Sequence, residues 1–385
     1  MRHFDHIDTA LRKHLFFRHP RGFDRHDDPA VLAVALGATL YSPATRPDLA
    51  GDIAKAARRG VTSLVVCLED AIADAELTAA EANAVAQLRL LHARGGPAPL
   101  LFVRVRAAGQ IGDLVDRLGD AAALLSGFVL PKFTAASGGP FLDAIAAAAE
   151  RTGLRLYAMP VIESREAVYA ETRAALLGEV AALLDKHRER VLAVRLGATD
   201  LSAAYGLRRP PDLTIYDIGP VAGAISDVVN VLGRADGSGF VVTGPVWEYF
   251  SAGERIFKPQ LRQTPFEAQH AAPLRQRIIG TDLDGLIREV HLDKANGLTG
   301  KTVIHPTHVS AVHALSVVTH EEYSDACDIL DVAGGGAMAS AYANKMNEAK
   351  PHRAWAERLM LRARVFGVAA EDVTFVELLE AAGSR

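Results

Sequence analysis

Two carboxylates stand at the ends of apolar runs in this chain. They are Glu163 in Met159-Pro160-Val161-Ile162-Glu163-Ser164 and Asp200 in Leu196-Gly197-Ala198-Thr199-Asp200-Leu201. If each run is a buried strand, both carboxylates emerge at one rim on adjacent strands, close enough to share an ion. Oxygen donors without a cysteine or a close histidine pair suit Mg2+, with Mn2+ as the alternative, rather than zinc. Arg104 ends Leu101-Phe102-Val103-Arg104 and offers a permanently charged fork that matches a carboxylate or a developing enolate oxygen. Lys132, after Val129-Leu130-Pro131, has three readings: a Schiff-base nucleophile, a substrate clamp, or an ion-pair partner of Glu69 or Glu163. Glu69 and Asp70 close another apolar run, and His305 closes the last one. One charged residue at a strand end usually marks only the arrival of the chain at solvent. Charges at six strand ends point to a site holding both signs, suited to a small anionic substrate bound through a metal.

Such residues need elements that bring them to one rim. From about residue 38, short apolar runs alternate with Ala-rich segments of helical period, the pattern of parallel strands covered by crossover helices. Eight strands are predicted: Thr39-Tyr41, Ser63-Leu68, Leu100-Arg104, Gly127-Leu130, Leu156-Ile162, Val191-Leu196, Gly239-Thr243 and Thr302-Ile304. Eight βα units imply an α/β fold, a closed (β/α)8 barrel whose site lies at the carboxyl ends of the strands. An open dinucleotide-binding sheet is disfavoured because no G-x-G-x-x-G is present. The expected organisation is an N-terminal extension over 1–37, a barrel over 38–318 and a helical C-terminal region over 319–385 that covers the barrel mouth or makes an oligomer contact. The Pro- and Gly-rich stretch from Leu207 to Thr264 reads as an enlarged sixth unit.

Composition narrows the partners. The 385 residues are 49% hydrophobic, ample for a large core, and the formal net charge of -4 provides no broad positive field for nucleic acid. No apolar run is long enough to span a bilayer, and acidic residues among the first thirty argue against an export signal. With only Cys67 and Cys327, far apart, a reducing compartment is expected, and the cytoplasm is the default. The spacing of His305, His308 and His313 fits no zinc pattern, so exposed or capping roles are expected. His3, His6, His14, His19 and His26, scattered among Arg and Asp, read as solvated.

Seven short motifs occur in order between about residues 38 and 318. They are Ser42-Pro43-Ala44-Thr45-Arg46-Pro47, Cys67-Leu68-Glu69-Asp70-Ala71, Val103-Arg104-Val105-Arg106, Leu130-Pro131-Lys132, Val161-Ile162-Glu163-Ser164, Gly197-Ala198-Thr199-Asp200-Leu201 and Gly300-Lys301-Thr302-Val303-Ile304-His305-Pro306. Together they resemble the HpcH/HpaI aldolase and citrate lyase β-subunit family. The chain looks most like its divergent carbon-carbon bond lyase branch, associated with tellurium-resistance gene clusters.

The resemblance implies a Mg2+-dependent barrel that breaks or forms a carbon-carbon bond, in many members on coenzyme A thioesters, and assembles as a trimer or hexamer. It carries the metal to Glu163 and Asp200, contact with the substrate carbonyl or carboxylate to Arg104, and the ordering of the site and its waters to Glu69 and Asp70. Lys132 lies nearby, and Arg46 and His305, in the first and last motifs, become candidate substrate contacts. Departures from the pattern occur at Cys67, where the family usually has Asp, at Arg106 for Asn, and at Thr199 for Glu. Arg106 adds a cation to the site only if its strand continues past Arg104, and it would then favour a substrate with an extra phosphate or carboxylate. The expected activity is thus that of a carbon-carbon lyase or aldolase on a small oxo-acid or acyl thioester. A coenzyme A-independent pyruvate aldolase and a non-catalytic metabolite-binding barrel are the rivals.

Overall fold

The computed structural model describes residues 1–250, 283–332 and 334–383. Eight parallel strands close on themselves in chain order. They are β1 (Ala38–Pro43), β2 (Ser63–Cys67), β3 (Leu100–Arg104), β4 (Leu125–Leu130), β5 (Tyr157–Ile162), β6 (Val194–Leu196), β7 (Val242–Trp247) and β8 (Lys301–Val303). All eight predicted strands form, and helices cover the outside of the barrel. Residues of β2, β4 and β5 are buried throughout, as expected of strands with side chains facing either the barrel interior or the helical shell. The helices supply the other half of the core. Leu49–Arg58 buries Leu49, Ala50, Ile53 and Ala56, and Gly109–Leu118 buries Ile111, Leu114, Val115 and Leu118, each on one face at helical spacing.

Local chemistry sets the joints. Thr134 caps the helix Ala135–Thr152 reciprocally with Ser137, and Gly153 ends it at φ 70°. Gly127, at φ 155°, is required where β4 slips in register against β3, because a Cβ there would lie 1.9 Å from the Tyr157 carbonyl oxygen.

β7 falls inside the loop-rich stretch 207–264, which therefore serves two units. Residues 207–241 complete the sixth, and residues 248–264 follow β7, those from 251 onward lying outside the described residues.

The extension and the tail meet. Phe16–Arg18 pairs antiparallel with Val368–Ala369, and the helix Ala349–Phe366 packs on Pro29–Ala35, just before β1. That helix thus lies toward the amino end of the barrel, away from the rim where Glu163 and Asp200 emerge. The tail also contains a small hairpin, Ala337–Ala339 with Met346–Glu348, where its composition reads as helix.

Burial corrects the reading of several histidines. His3 is fully buried, with Nε2 3.2 Å from the Ala35 carbonyl oxygen and its ring 4.5 Å from that of His313. His313 is itself buried, and its Nε2 accepts the Ala38 N–H, which requires that nitrogen to be unprotonated. His308 is also buried. The extension folds back under the barrel, so hydrophilic neighbours in sequence are not neighbours in space. Burial lowers His3 to about 3 and takes His313 well below its ordinary value.

The sign of the pH effect follows. Below about pH 6.5 the unfolded chain binds protons that the folded chain refuses, so the stability is present above that pH and lost as pH falls toward 3. Glu163 titrates in the opposite sense, so the histidine contribution is read as a difference. Between about pH 7.5 and 5.5 the unfolding free energy from urea titrations should fall by about 1 kcal/mol more in the wild type than in His3→Phe. An equal pH dependence in the two proteins would refute a buried neutral His3.

Candidate active site

At the carboxyl ends of the strands, charged side chains converge. Glu69 and Asp70 follow β2, Arg104 ends β3, Lys132 follows β4, Glu163 follows β5, and Asp200 sits in the first turn of Ala198–Ala203 after β6. Arg104 is the hub. Its Nη2 lies 2.5 Å from Glu69 Oε2, 2.8 Å from Asp70 Oδ2 and 3.3 Å from Glu163 Oε1. Lys132 Nζ reaches Glu69 Oε1 at 2.7 Å and Asp70 Oδ1 at 3.4 Å.

Two backbone features fix Glu163. Lys132 adopts φ 47°, a costly conformation for a residue with a Cβ, and its N–H donates to Glu163 Oε1 at 2.9 Å. The next amide, Phe133 N–H, donates to the Val161 carbonyl at 3.1 Å, lacing the exit of β4 to β5. On the other side Gly197 leaves room, because a Cβ there would sit 2.1 Å from Glu163 Oε2 and 2.4 Å from Glu163 Cβ. Glycine at 197 therefore lets the exit of β6, with Asp200 three residues on, pass against Glu163.

The electrostatics reflect crowding. Burial pushes Glu163 up to about 7, with the Asp200 charge adding to the rise and Arg104 opposing it. Asp200 is raised by burial and by the Asp70 charge. Burial also raises Glu69. For Asp70, burial is outweighed by its contact with Glu69 and by Arg104 and Lys132, and its carboxyl sits below the ordinary range. Lys132 is raised, first by its hydrogen bond to Glu69, so its amine stays protonated. That disfavours a Schiff-base nucleophile, which needs a lowered pKa.

Carboxylates thus outnumber cations in this cluster. Among the described residues no three carboxylate, imidazole or thiol groups are disposed to enclose a metal ion. The donor set fits a hard cation that takes few protein ligands and keeps positions for water and substrate, as Mg2+ does, and fits a closed cage poorly.

Other expected residues lie elsewhere. β3 ends at Arg104, so Arg106 belongs to the following loop and turns aside. Its guanidinium donates to the carbonyls of Leu68, Glu69 and Ile72 and pairs with Asp74. Arg106 therefore holds the loop that carries Glu69 and Asp70, and the expected extra anion contact at this residue is withdrawn. Arg46 pairs with Asp52 at 2.8 Å, and His305 binds the Thr307 hydroxyl at 2.7 Å while stacking on Phe250. Both line a cleft of about 620 Å³ along β1 and β8 that reaches Tyr41 but none of Glu69, Asp70, Arg104, Lys132, Glu163 or Asp200.

The sequence reading missed Glu248, whose Oε1 accepts the Thr199 hydroxyl at 3.2 Å. β7 runs four residues past its expected end, which carries Glu248 to the rim. It also missed Tyr41, on β1, whose phenol is raised by burial and feels the charges of Arg195, Arg104 and Glu163. Arg195, on β6, points into the barrel and is fully buried.

Comparison with known proteins bears on this arrangement. The family described as C-C bond lyase of the TIM-barrel fold matches residues 30–368. The structure is similar to protein CitE from Mycobacterium tuberculosis, solved with magnesium, acetoacetate and coenzyme A, at TM-score 0.51 and 22% identity over 86% of this chain and 99% of that one. It is also similar to Haloferax volcanii malate synthase, solved with magnesium and glyoxylate, at TM-score 0.51 and 16% identity over 71% of this chain and 73% of that one. At these identities the likeness is one of fold. A search of curated proteins finds no match. The match to the family over most of the barrel identifies the chain as a member of the C-C bond lyase family of the TIM-barrel fold.

Proposed function

We propose that the chain is a Mg2+-dependent carbon-carbon lyase or aldolase that acts on a small oxo-acid, free or as an acyl-coenzyme A thioester, through an enolate. Within the family it is assigned to the divergent branch associated with tellurium-resistance gene clusters. The observation that carries the activity is the convergence of Glu69, Asp70 and Glu163 on Arg104, with Asp200 beside Glu163.

Glu163 and Asp200 hold the cation, with Mn2+ as a substitute. When bound, it supplies a Lewis acid for the carbonyl oxygen that becomes the enolate oxygen. Arg104 presents a fixed guanidinium to the same developing charge, held in place by its carboxylate contacts so that little reorganisation accompanies the reaction. Lys132 stays protonated against Glu69 and acts as a cation at the mouth. Glu69 and Asp70 orient both cations. The thioester form draws support from the positive charge along the cleft outside β1 and β8, where Arg46 lies near the carboxyl end of β1 and Lys55, Arg58 and Arg59 run toward its amino end. The magnesium, acetoacetate and coenzyme A of the CitE complex are of the same chemical kind.

The test is calorimetric titration of Mg2+ into the wild type, Glu163→Gln and Asp200→Asn at pH 8. Each variant should bind at least about 10- to 100-fold more weakly, the cost of losing even a supporting group at a metal site. Equal affinity in all three removes the metal site and the proposed chemistry with it.

A further inference from the structure

Arg195 sits on β6 with 1% of its surface exposed, inside the barrel and below the rim. Its Nη2 donates to Thr302 Oγ1 at 2.6 Å and its Nη1 to Thr39 Oγ1 at 3.4 Å, while Met159 Sδ lies 3.8 Å from Nη1. Nε has no partner, and among the described residues no carboxylate forms an ion pair with this guanidinium. Its Cζ lies 5.5 Å from the centre of the Tyr41 ring, and that tyrosine also feels Arg104 and Glu163. Tyr41 is thus the layer between a buried cation and the rim cluster.

A buried charge without an opposite charge is expensive, and an apolar side chain of similar size would fill the position without that cost. The charge count indicates what the residue offers in return. At the rim the carboxylates of Glu69, Asp70, Glu163 and Asp200 face the side-chain cations of Arg104 and Lys132. A divalent cation brings this count level; Glu248 shares Arg209 with Glu289, and Glu289 and Asp293 share Lys301, in a separate network around β7 and β8. Arg195 has no carboxylate of its own in either set, and it is fixed under the floor of the site where solvent cannot screen it.

We infer that Arg195 is a positioning residue that gives the rim site its preference for a negatively charged substrate, acting through the Tyr41 ring rather than by touching the ligand. The inference rests on the metal-assisted oxo-acid reading above and adds the charge of the substrate to it. One unit charge acting over a substrate-sized distance through protein interior is worth on the order of tenfold in binding.

The experiment measures binding of pyruvate and of its uncharged amide, pyruvamide, at saturating Mg2+ in the wild type, Arg195→Met and Arg195→Lys, with thermal melts reporting folding. The wild type should prefer pyruvate. Arg195→Met, close in size but neutral, should cut that preference on the order of tenfold and leave pyruvamide affinity unchanged, whereas Arg195→Lys should keep it. A folded Arg195→Met with the wild-type preference, or with both probes weakened equally, overturns the inference, because a packing role does not distinguish charge. If the Met variant does not fold, the Lys variant decides: preference retained supports the inference and preference lost overturns it. A wild type that binds neither probe removes the oxo-acid reading and this inference together, while binding of both with no effect at Arg195 removes this inference alone.

Discussion

Replacing Arg104 by Met is expected to lower turnover of any substrate the protein cleaves by a factor of about 10² to 10³, the cost of removing one preorganised donor at a developing oxyanion. Here the loss reaches beyond one contact. The Arg104 side chain is 12% exposed and is shared by Glu69, Asp70 and Glu163, which would then face one another with only Lys132 nearby. Breaking buried ion pairs from one side costs about 3–5 kcal/mol, so the melting temperature should fall as well. Arg104→Lys separates the two effects. A lysine keeps the charge but cannot offer the planar fork, so stability should recover more than turnover does. Measurement of kcat and KM beside thermal melts gives both quantities. A Met variant within about threefold of wild-type kcat would remove Arg104 from the chemistry.

Glu163→Gln should stabilise the protein and disable it. Burial, with the Asp200 charge, raises this carboxyl from 4.5 to about 7. Between those values the folded state holds a proton that the unfolded state has released, so stability is lost as pH rises through the window, and above it the full penalty remains. The raised pKa corresponds to about 3 kcal/mol at pH 8, as an order of magnitude. A glutamine removes the charge yet can still accept the Lys132 N–H, so with EDTA at pH 8 the variant should be more stable by about 2 kcal/mol. Added Mg2+ should raise the stability of the wild type more than that of the variant, because a ligand that binds the folded state shifts unfolding in proportion to the logarithm of its affinity. The wild-type affinity for Mg2+ should fall about tenfold per pH unit below 7, since the carboxyl must lose its proton first. Melting curves at pH 6 and pH 8, with and without Mg2+, test all three statements. A variant less stable than wild type in EDTA at pH 8 contradicts the argument.

Much of the barrel is legible in one dimension because its strands are buried on both faces. Ser63–Cys67 and Tyr157–Ile162 read as unbroken apolar runs, and the first charge after each run marks the rim. That is why Glu69, Asp70, Arg104, Lys132, Glu163 and Asp200 can be picked out as one set. Where a strand ends is harder to read, and the errors at the site are errors of strand ends. β3 stops at Arg104, so Arg106 swings onto the carbonyls of the preceding loop. β7 continues to Trp247, so Glu248 arrives at the rim.

Direction and long-range contact are not written locally at all. Arg195 and Arg106 are both arginines near apolar strands, yet one is sealed inside the barrel and the other braces a loop. His3 resembles a solvated residue among charges until the extension folds under β1 and sets its ring against His313. The amino-acid order alone determined the periodic elements, their parallel closure and which charged residues reach the rim, because these follow from the alternation of buried and polar positions along the chain. Only the folded molecule decided which charges share Arg104, which histidines stay neutral and why residue 197 must be glycine. Those outcomes depend on distances between segments that meet only when the barrel closes.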